Sequence, residues 1–217
     1  MVVGAAAPAN DLTVVELFTS QACPMCPAAD ALLSDLSKRD DVLALSFPVS
    51  YWDTDSWSDT LATSENVERQ RAYAGVLPNL RVYTPQFVIN GAVDVKGSYP
   101  KKVEAAIDAA EGAVSVALTC SGGEGRAVIG RSGGTITVTR VSFEKSAVSV
   151  PIAGGANTGK TLAYSGVVRS FGRVTTLSAE GGEVKVALPG GAGLDHAILV
   201  HEGDGVGKVL GAARCGA

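Results

Sequence analysis

No apolar run in the 217-residue chain approaches the roughly 20 residues that cross a membrane as a helix, because Gly, Asp or Ser breaks every long apolar stretch. Insertion into a membrane by a helix is therefore not expected. Clustered positive charge is missing as well. The 18 Lys and Arg residues are scattered among 22 Asp and Glu, giving a net charge of −4, whereas a nucleic-acid surface needs concentrated basic charge. Nucleic acid is not an expected partner. Metal ligands are also few, with two histidines and four cysteines. Cys120, Cys215, His196 and His201 form no second short-spaced pair that would complete a tetrahedral zinc site around Cys23 and Cys26. What is present is a hydrophobic content of 46%, ample for one large domain or two small ones.

Two of the cysteines stand together in Cys23-Pro24-Met25-Cys26, between an apolar run, Thr13-Val-Val-Glu-Leu-Phe18, and a helical pattern that starts at Pro27. The pair thus sits where a strand hands over to a helix. Unpaired N–H groups and the helix dipole stabilise a thiolate there and lower its pKa. Cys23 is the expected nucleophile, and Cys26, one turn on, is placed to resolve a mixed disulfide. Two other readings remain open for the same residues: an inert structural pair, and a copper(I) site in which the Met25 thioether joins the two thiolates.

Composition changes at Gly112. Residues 1–112 hold 5 of the 26 glycines and carry 15 acidic and 8 basic residues, net −7; residues 113–217 hold 21 glycines and carry 7 acidic and 10 basic, net +3. Two domains, 1–112 and 113–217, are the natural inference. In the first, periodicity predicts helices over 27–38, 64–76 and 100–111, the last two capped by Ser64 and Ser98, and strands over 13–18, 42–49, 86–90 and 93–96. The order β-α-β-α-β-β-α makes a four-stranded α/β layer. The second half shows no helix, only short alternating runs such as 113–119, 134–143 and 183–188 punctuated by glycine pairs. Eight or so strands at that spacing predict an antiparallel β-sandwich.

That order, the Cys-x-x-Cys after the first strand and Thr84-Pro85 before the third give the first half a resemblance to the thioredoxin superfamily. The resemblance implies a thioredoxin-like domain, a cis peptide at Pro85, and a substrate peptide paired to the backbone at Thr84. More narrowly, Val15-Glu-Leu-Phe-Thr-Ser-Gln-Ala-Cys23, Ser50-Tyr-Trp-Asp53, Glu68-Arg-Gln-Arg-Ala-Tyr73 and Tyr83-Thr-Pro-Gln-Phe-Val-Ile-Asn-Gly91 resemble the exported bacterial family called domain of unknown function 1223. In the second half, Ala156-Asn-Thr-Gly-Lys-Thr-Leu162, Val167-Val-Arg169 and Leu210-Gly-Ala-Ala213 are similar to it too. The family implies export, hence a periplasmic or secreted location. The small, apolar segment 1–11 fits a flexible tail left by a trimmed export signal, and an even number of cysteines fits an oxidising compartment.

Further residues complete the expected site. If strands 13–18 and 42–49 run parallel, Tyr51 and Trp52 lie near Cys23 as an aromatic platform for substrate, with Trp57 on the same rim. Glu16 interrupts an apolar strand, and many thioredoxin relatives place an acid near there, so it is a candidate for proton transfer to Cys26. An outward turn of Glu16 is the competing reading. Asp53, Asp55 and Asp59 lack the glycine and the middle oxygen ligand of a calcium loop. Arg69, Gln70 and Arg71 read as a solvated helix face. His196 and His201, an odd number apart, should point to opposite faces of one strand, and Cys120 with Cys215 would form a structural disulfide closing the second domain. The function expected is an exported thiol–disulfide oxidoreductase that needs no cofactor, acting on a protein or small thiol substrate, with a separate redox partner. A copper(I) carrier and a non-catalytic interaction protein are the alternatives.

Overall fold

Strand β1 (Thr13–Thr19) and strand β2 (Val42–Pro48) read as almost continuous apolar runs and are buried along almost their whole length, as strands covered on both faces must be. They pair in parallel, joined by helix α1 (Cys26–Leu36). The computed structural model describes residues 12–79, 81–191, 193–203 and 205–216; the expected tail over residues 1–11 lies outside them. Helix α2 (Ser64–Val76) leads to strands β3 (Gln86–Ile89) and β4 (Val93–Lys96), and helix α3 (Pro100–Asp108) follows. The first sheet has the order β2-β1-β3-β4, antiparallel except for the β1/β2 pair.

The molecule is mixed α/β, with mostly antiparallel sheets and few helices. Helices α1 and α3 end two and three residues, respectively, before the periodicity suggests. The caps differ from expectation as well: Thr63 rather than Ser64 caps α2, its Oγ1 accepting from Asn66 N at 3.2 Å, and Tyr99 rather than Ser98 precedes α3, with no side-chain cap. Pro100 opens that helix, where a missing N–H costs nothing.

Beyond residue 112 come nine strands: β5 (Val116–Ser121), β6 (Glu124–Ile129), β7 (Ile136–Glu144), β8 (Val148–Pro151), β9 (Thr161–Tyr164), β10 (Val168–Leu177), β11 (Gly182–Ala187), β12 (Leu194–Glu202) and β13 (Val209–Arg214). A 3-10 turn at Gly155–Asn157 stands between β8 and β9. The sheet β10-β7-β12-β13 faces the sheet β11-β6-β5 across a core that includes Val116, Ile129, Val138, Val186, Ile198 and Val200. Strands β8 and β9 form a separate hairpin.

The halves are not independent in packing. Period-2 alternation sends Val15 and Leu17 of β1 against α1 and α3, and Val14 and Phe18 the other way, into one core with α2 and with Val141, Phe143, Ala197 and Leu199 of the second half. Backbone bonds stitch the seam: Ser46 N donates to Gly166 O at 2.8 Å and Val209 N to Asn90 O at 2.8 Å. At Gly166, φ is +63° and a Cβ would run into the Ala44 carbonyl, so the approach of the two chains depends on glycine there. His196 and His201 do lie on opposite faces of β12: His196 shares the face of Ile198 and Val200, while His201 points into the shared core beside Ala197 and Leu199.

Candidate functional site

Strand β1 delivers the chain to a tight loop, and the loop delivers two cysteines to the first turn of α1. Cys23 and Cys26 form a disulfide with their Cα atoms 5.4 Å apart. The turn between them is closed by Cys26 N donating to Cys23 O at 3.3 Å. Met25 stands at the helix N-cap without a side-chain cap bond, Pro27 occupies the first turn, and no acidic residue follows there. The N–H groups of that turn therefore have no carboxylate competing for them. Both cysteines are 0% exposed, whereas Met25 between them is 57% exposed.

Thr84-Pro85 is a cis peptide. Gly97 is wedged between Pro85 and Ala29, so that a Cβ at Gly97 would strike both side chains; this brings Pro85 to the first turns of α1. Trp52 reaches across to the same point, its Nε1 donating to Thr84 Oγ1 at 2.9 Å. Tyr51 and Trp52 are exposed. Trp57 leaves their rim, its ring packing against Gly154 of the second half. Asp59 holds backbone rather than a cation: its carboxylate accepts from Gln21 N at 2.8 Å and from Leu61 N at 2.9 Å. Among the described residues, no group of three or more His, Cys, Asp or Glu side chains is arranged to hold a metal ion.

Glu16 does not face the cysteines. It lies on the Val14/Phe18 side of β1, where Arg69 Nε donates to its Oε1 at 2.7 Å and Tyr73 Oη to its Oε2. Arg69 and Gln70 are correspondingly buried, contrary to the expected solvated face, and only Arg71 of the three is exposed. The Arg69 guanidinium lies 5.2–5.3 Å from the ring centroids of Phe47, Tyr73 and Phe171. His201 is the neighbouring titratable group, with Nδ1 3.1 Å from Gly207 O and Nε2 without a partner.

The acid on the cysteine side is Asp30. One helical turn after Cys26, it shares that residue's face of α1 and is only 4% exposed. Among the described residues, neither carboxyl oxygen has a hydrogen-bond partner, and the same holds for two hydroxyls nearby, Thr19 Oγ1 and Tyr164 Oη. Burial pushes Asp30 up to about 8; the Thr19 hydroxyl pulls the other way, and the charge of Asp59 adds to the rise. Burial also raises Tyr164, helped by the charges of Asp30 and Asp59. Asp30 is among the residues lining an open groove of about 340 Å³ between α1 and β9, with both carboxyl oxygens themselves buried. The signal for Asp30 was in the sequence: the buried positions of α1 are 26, 29, 30, 33 and 36, an i, i+3, i+4 stripe with one acid in it.

Cys120 and Cys215 form the second disulfide, Cα atoms 5.7 Å apart, half-buried at the edge of the sandwich core and far from the first pair in sequence. It joins β5 to the end of β13.

A family profile described as "Protein of unknown function (DUF1223)" matches residues 14–201. The crystal structure of protein AGR_C_4864 from Agrobacterium tumefaciens is similar over 93% of this chain and 92% of its own, at 30% identity and a TM-score of 0.80. HBP35 of Porphyromonas gingivalis is similar in fold alone, with 13% identity and a TM-score of 0.66 over 94% of this chain and 74% of its own. A protein of Archaeoglobus fulgidus named "Probable Thioredoxin" is 41% identical over 39 residues, 18% of this chain and 43% of that protein. The likeness thus spans less than half of that relative.

Proposed function

The chain belongs to the family described as protein of unknown function (DUF1223), and from its site we propose that it is an exported thiol–disulfide oxidoreductase whose first half is thioredoxin-like. The observation that carries the reading is a buried Cys23–Cys26 disulfide at the start of α1, with an unpaired acid one turn on at Asp30 and a cis-proline close by. The short match to a protein named as a thioredoxin is compatible with it. The half-buried Cys120–Cys215 bridge supports an oxidising, periplasmic or secreted location.

In the oxidising direction, a substrate thiolate attacks Cys23 Sγ, the bond to Cys26 breaks, and Cys26 leaves as a thiolate that takes the proton of the Asp30 carboxyl. A second substrate thiolate then attacks the substrate sulfur of the mixed disulfide and releases Cys23. Two electrons pass from substrate to the cysteine pair, and a separate redox partner removes them. Thr84 and Pro85 hold the substrate chain, with Tyr51 and Trp52 as its apolar platform. No cofactor is required.

Measuring the reduction potential of Cys23–Cys26, with trapping of a mixed disulfide by the Cys26→Ser variant, tests the proposal. A disulfide still formed below about −300 mV, as structural bridges are, together with no trapped species, would sink it. Exposed Met25 beside the pair favours copper(I) carriage as a second reading. Copper(I) uptake by the reduced protein no tighter than by a Cys23→Ser variant ends that one.

A further inference from the structure

The loop that presents Cys23 is held by the other half of the molecule. Three consecutive carbonyls accept hydrogen bonds from two residues of the 3-10 turn: Asn157 Nδ2 donates to Gln21 O at 3.0 Å and to Cys23 O at 2.8 Å, and Ala156 N donates to Ala22 O at 3.3 Å. Asn157 is 1% exposed, and its Oδ1 accepts from Lys160 Nζ at 3.0 Å. The amide's two N–H groups and its carbonyl are all engaged. From the opposite side, Asp59 holds Gln21 N. Gly155, at φ +74°, lets the turn approach: a Cβ there would overlap Ala22.

The Cys23 carbonyl is also the acceptor that closes the turn to Cys26. We propose that Asn157 is a positioning residue for the Cys23–Cys26 couple, through which the second half favours the disulfide over the dithiol. The inference rests on the thiol–disulfide reading. Reduction breaks the S–S bond and pushes the two sulfurs apart to non-bonded contact, which draws Cys23 away from the position that Asn157 fixes. A rigid hold resists that separation and raises the effective concentration of one thiol at the other. Removing it releases the dithiol and weakens the disulfide.

The test uses the full chain in buffers of graded glutathione ratio, where protein dithiol and oxidised glutathione exchange two electrons and two protons to give protein disulfide and two reduced glutathiones. Thiols are alkylated and each pair is quantified by mass. Asn157→Ala is expected to lower the equilibrium constant for the Cys23–Cys26 disulfide about tenfold, the worth of a single hydrogen bond, which moves the midpoint about 30 mV toward the oxidising side. Lys160→Ala, at an exposed position, is expected to shift it less and in the same direction. The Cys120–Cys215 pair in the same samples should not move. An unchanged constant in both variants overturns the proposal while leaving the oxidoreductase reading intact. Absence of a trapped substrate species with Cys26→Ser counts against that reading alone. Should Asn157→Ala fail to fold, Lys160→Ala decides: a shift at unchanged Tm supports the role, and no shift refutes it.

Discussion

Replacing Asp30 by Asn should make the protein more stable at neutral pH, and the size of the gain follows from where the carboxyl sits. Burial, opposed by Thr19 and aided by the Asp59 charge, moves the group from an ordinary 3.8 to about 8. Its folded-state pKa is raised, so its contribution to stability is fully present below pH 3.8 and is lost progressively as pH rises to about 8. At pH 7 the unfolded chain has gained about three pH units of ionisation that the folded protein forgoes, about 4 kcal/mol at 1.36 kcal/mol per unit. An amide does not ionise. Its own unpaired donors cost about 1–2 kcal/mol, which leaves a net gain of about 2–3 kcal/mol at pH 7 and none below pH 4. Urea unfolding of the oxidised wild type and of Asp30→Asn from pH 4 to 8.5 gives the difference directly, with the slope checked for constancy. Parallel pH profiles, or an Asp30→Asn protein less stable at pH 7, would refute the reasoning. On the proposed thiol–disulfide reading, a carboxyl that weakens the fold in this way one turn from Cys26 is better accounted for by proton transfer than by structure.

The shared core supplies two more tests. Burial first, then the Arg69 charge, lowers His201 to about 4 against the opposing Gly207 carbonyl and Glu16, so it stays neutral in the fold while the unfolded chain protonates below about pH 6.5. Stability from this group is present above that value and falls by up to about 3 kcal/mol as pH drops to about 4; His201→Leu should remove this component from a thermal-unfolding profile, and profiles differing by a constant would contradict it. Arg69→Met strands the Glu16 carboxylate in the core and should cost about 3–5 kcal/mol, most of it recovered by adding Glu16→Gln. A loss below about 1 kcal/mol in urea unfolding would mean that the pair is not desolvated as described.

How far the sequence reaches depends on what a pattern can encode. The helices and strands of the first half are legible to within a turn because each carries its own period and punctuation, and the Cys-x-x-Cys is legible because the thiols and the helix start are neighbours in the chain. Arg69 and Gln70 are not, since a polar helix face looks solvated until its partners are in place, Glu16 and the Phe171 ring for Arg69, Tyr83 O and Gln86 for Gln70. Glu16 depends on which face of β1 points to α1, and strict alternation leaves that binary choice open: the apolar neighbours Val15 and Leu17 took the α1 side. Asn157 is further out of reach, contacting residues 134 and 136 positions away. Only its place within a family-like stretch, 156–162, marks it.

The same contacts limit how the disulfide can be approached. With Cys23 and Cys26 both 0% exposed, an outside thiolate reaches sulfur only after some covering group moves. The inner side is tied by carbonyls 21–23 to residues 156 and 157 and by Gln21 N to Asp59, and breaking those bonds would uncover several buried polar groups at once. Pro24 and Met25, between the cysteines, are exposed, as are Tyr51 and Trp52, and Trp52 is tethered by its bond to Thr84, the residue before the cis-proline. Releasing that tether costs about 1 kcal/mol, within the range of local opening. On the proposed thiol–disulfide reading, a partner that engages Trp52 therefore acts on the Thr84–Pro85 segment with one bond to break, whereas the inner side has several.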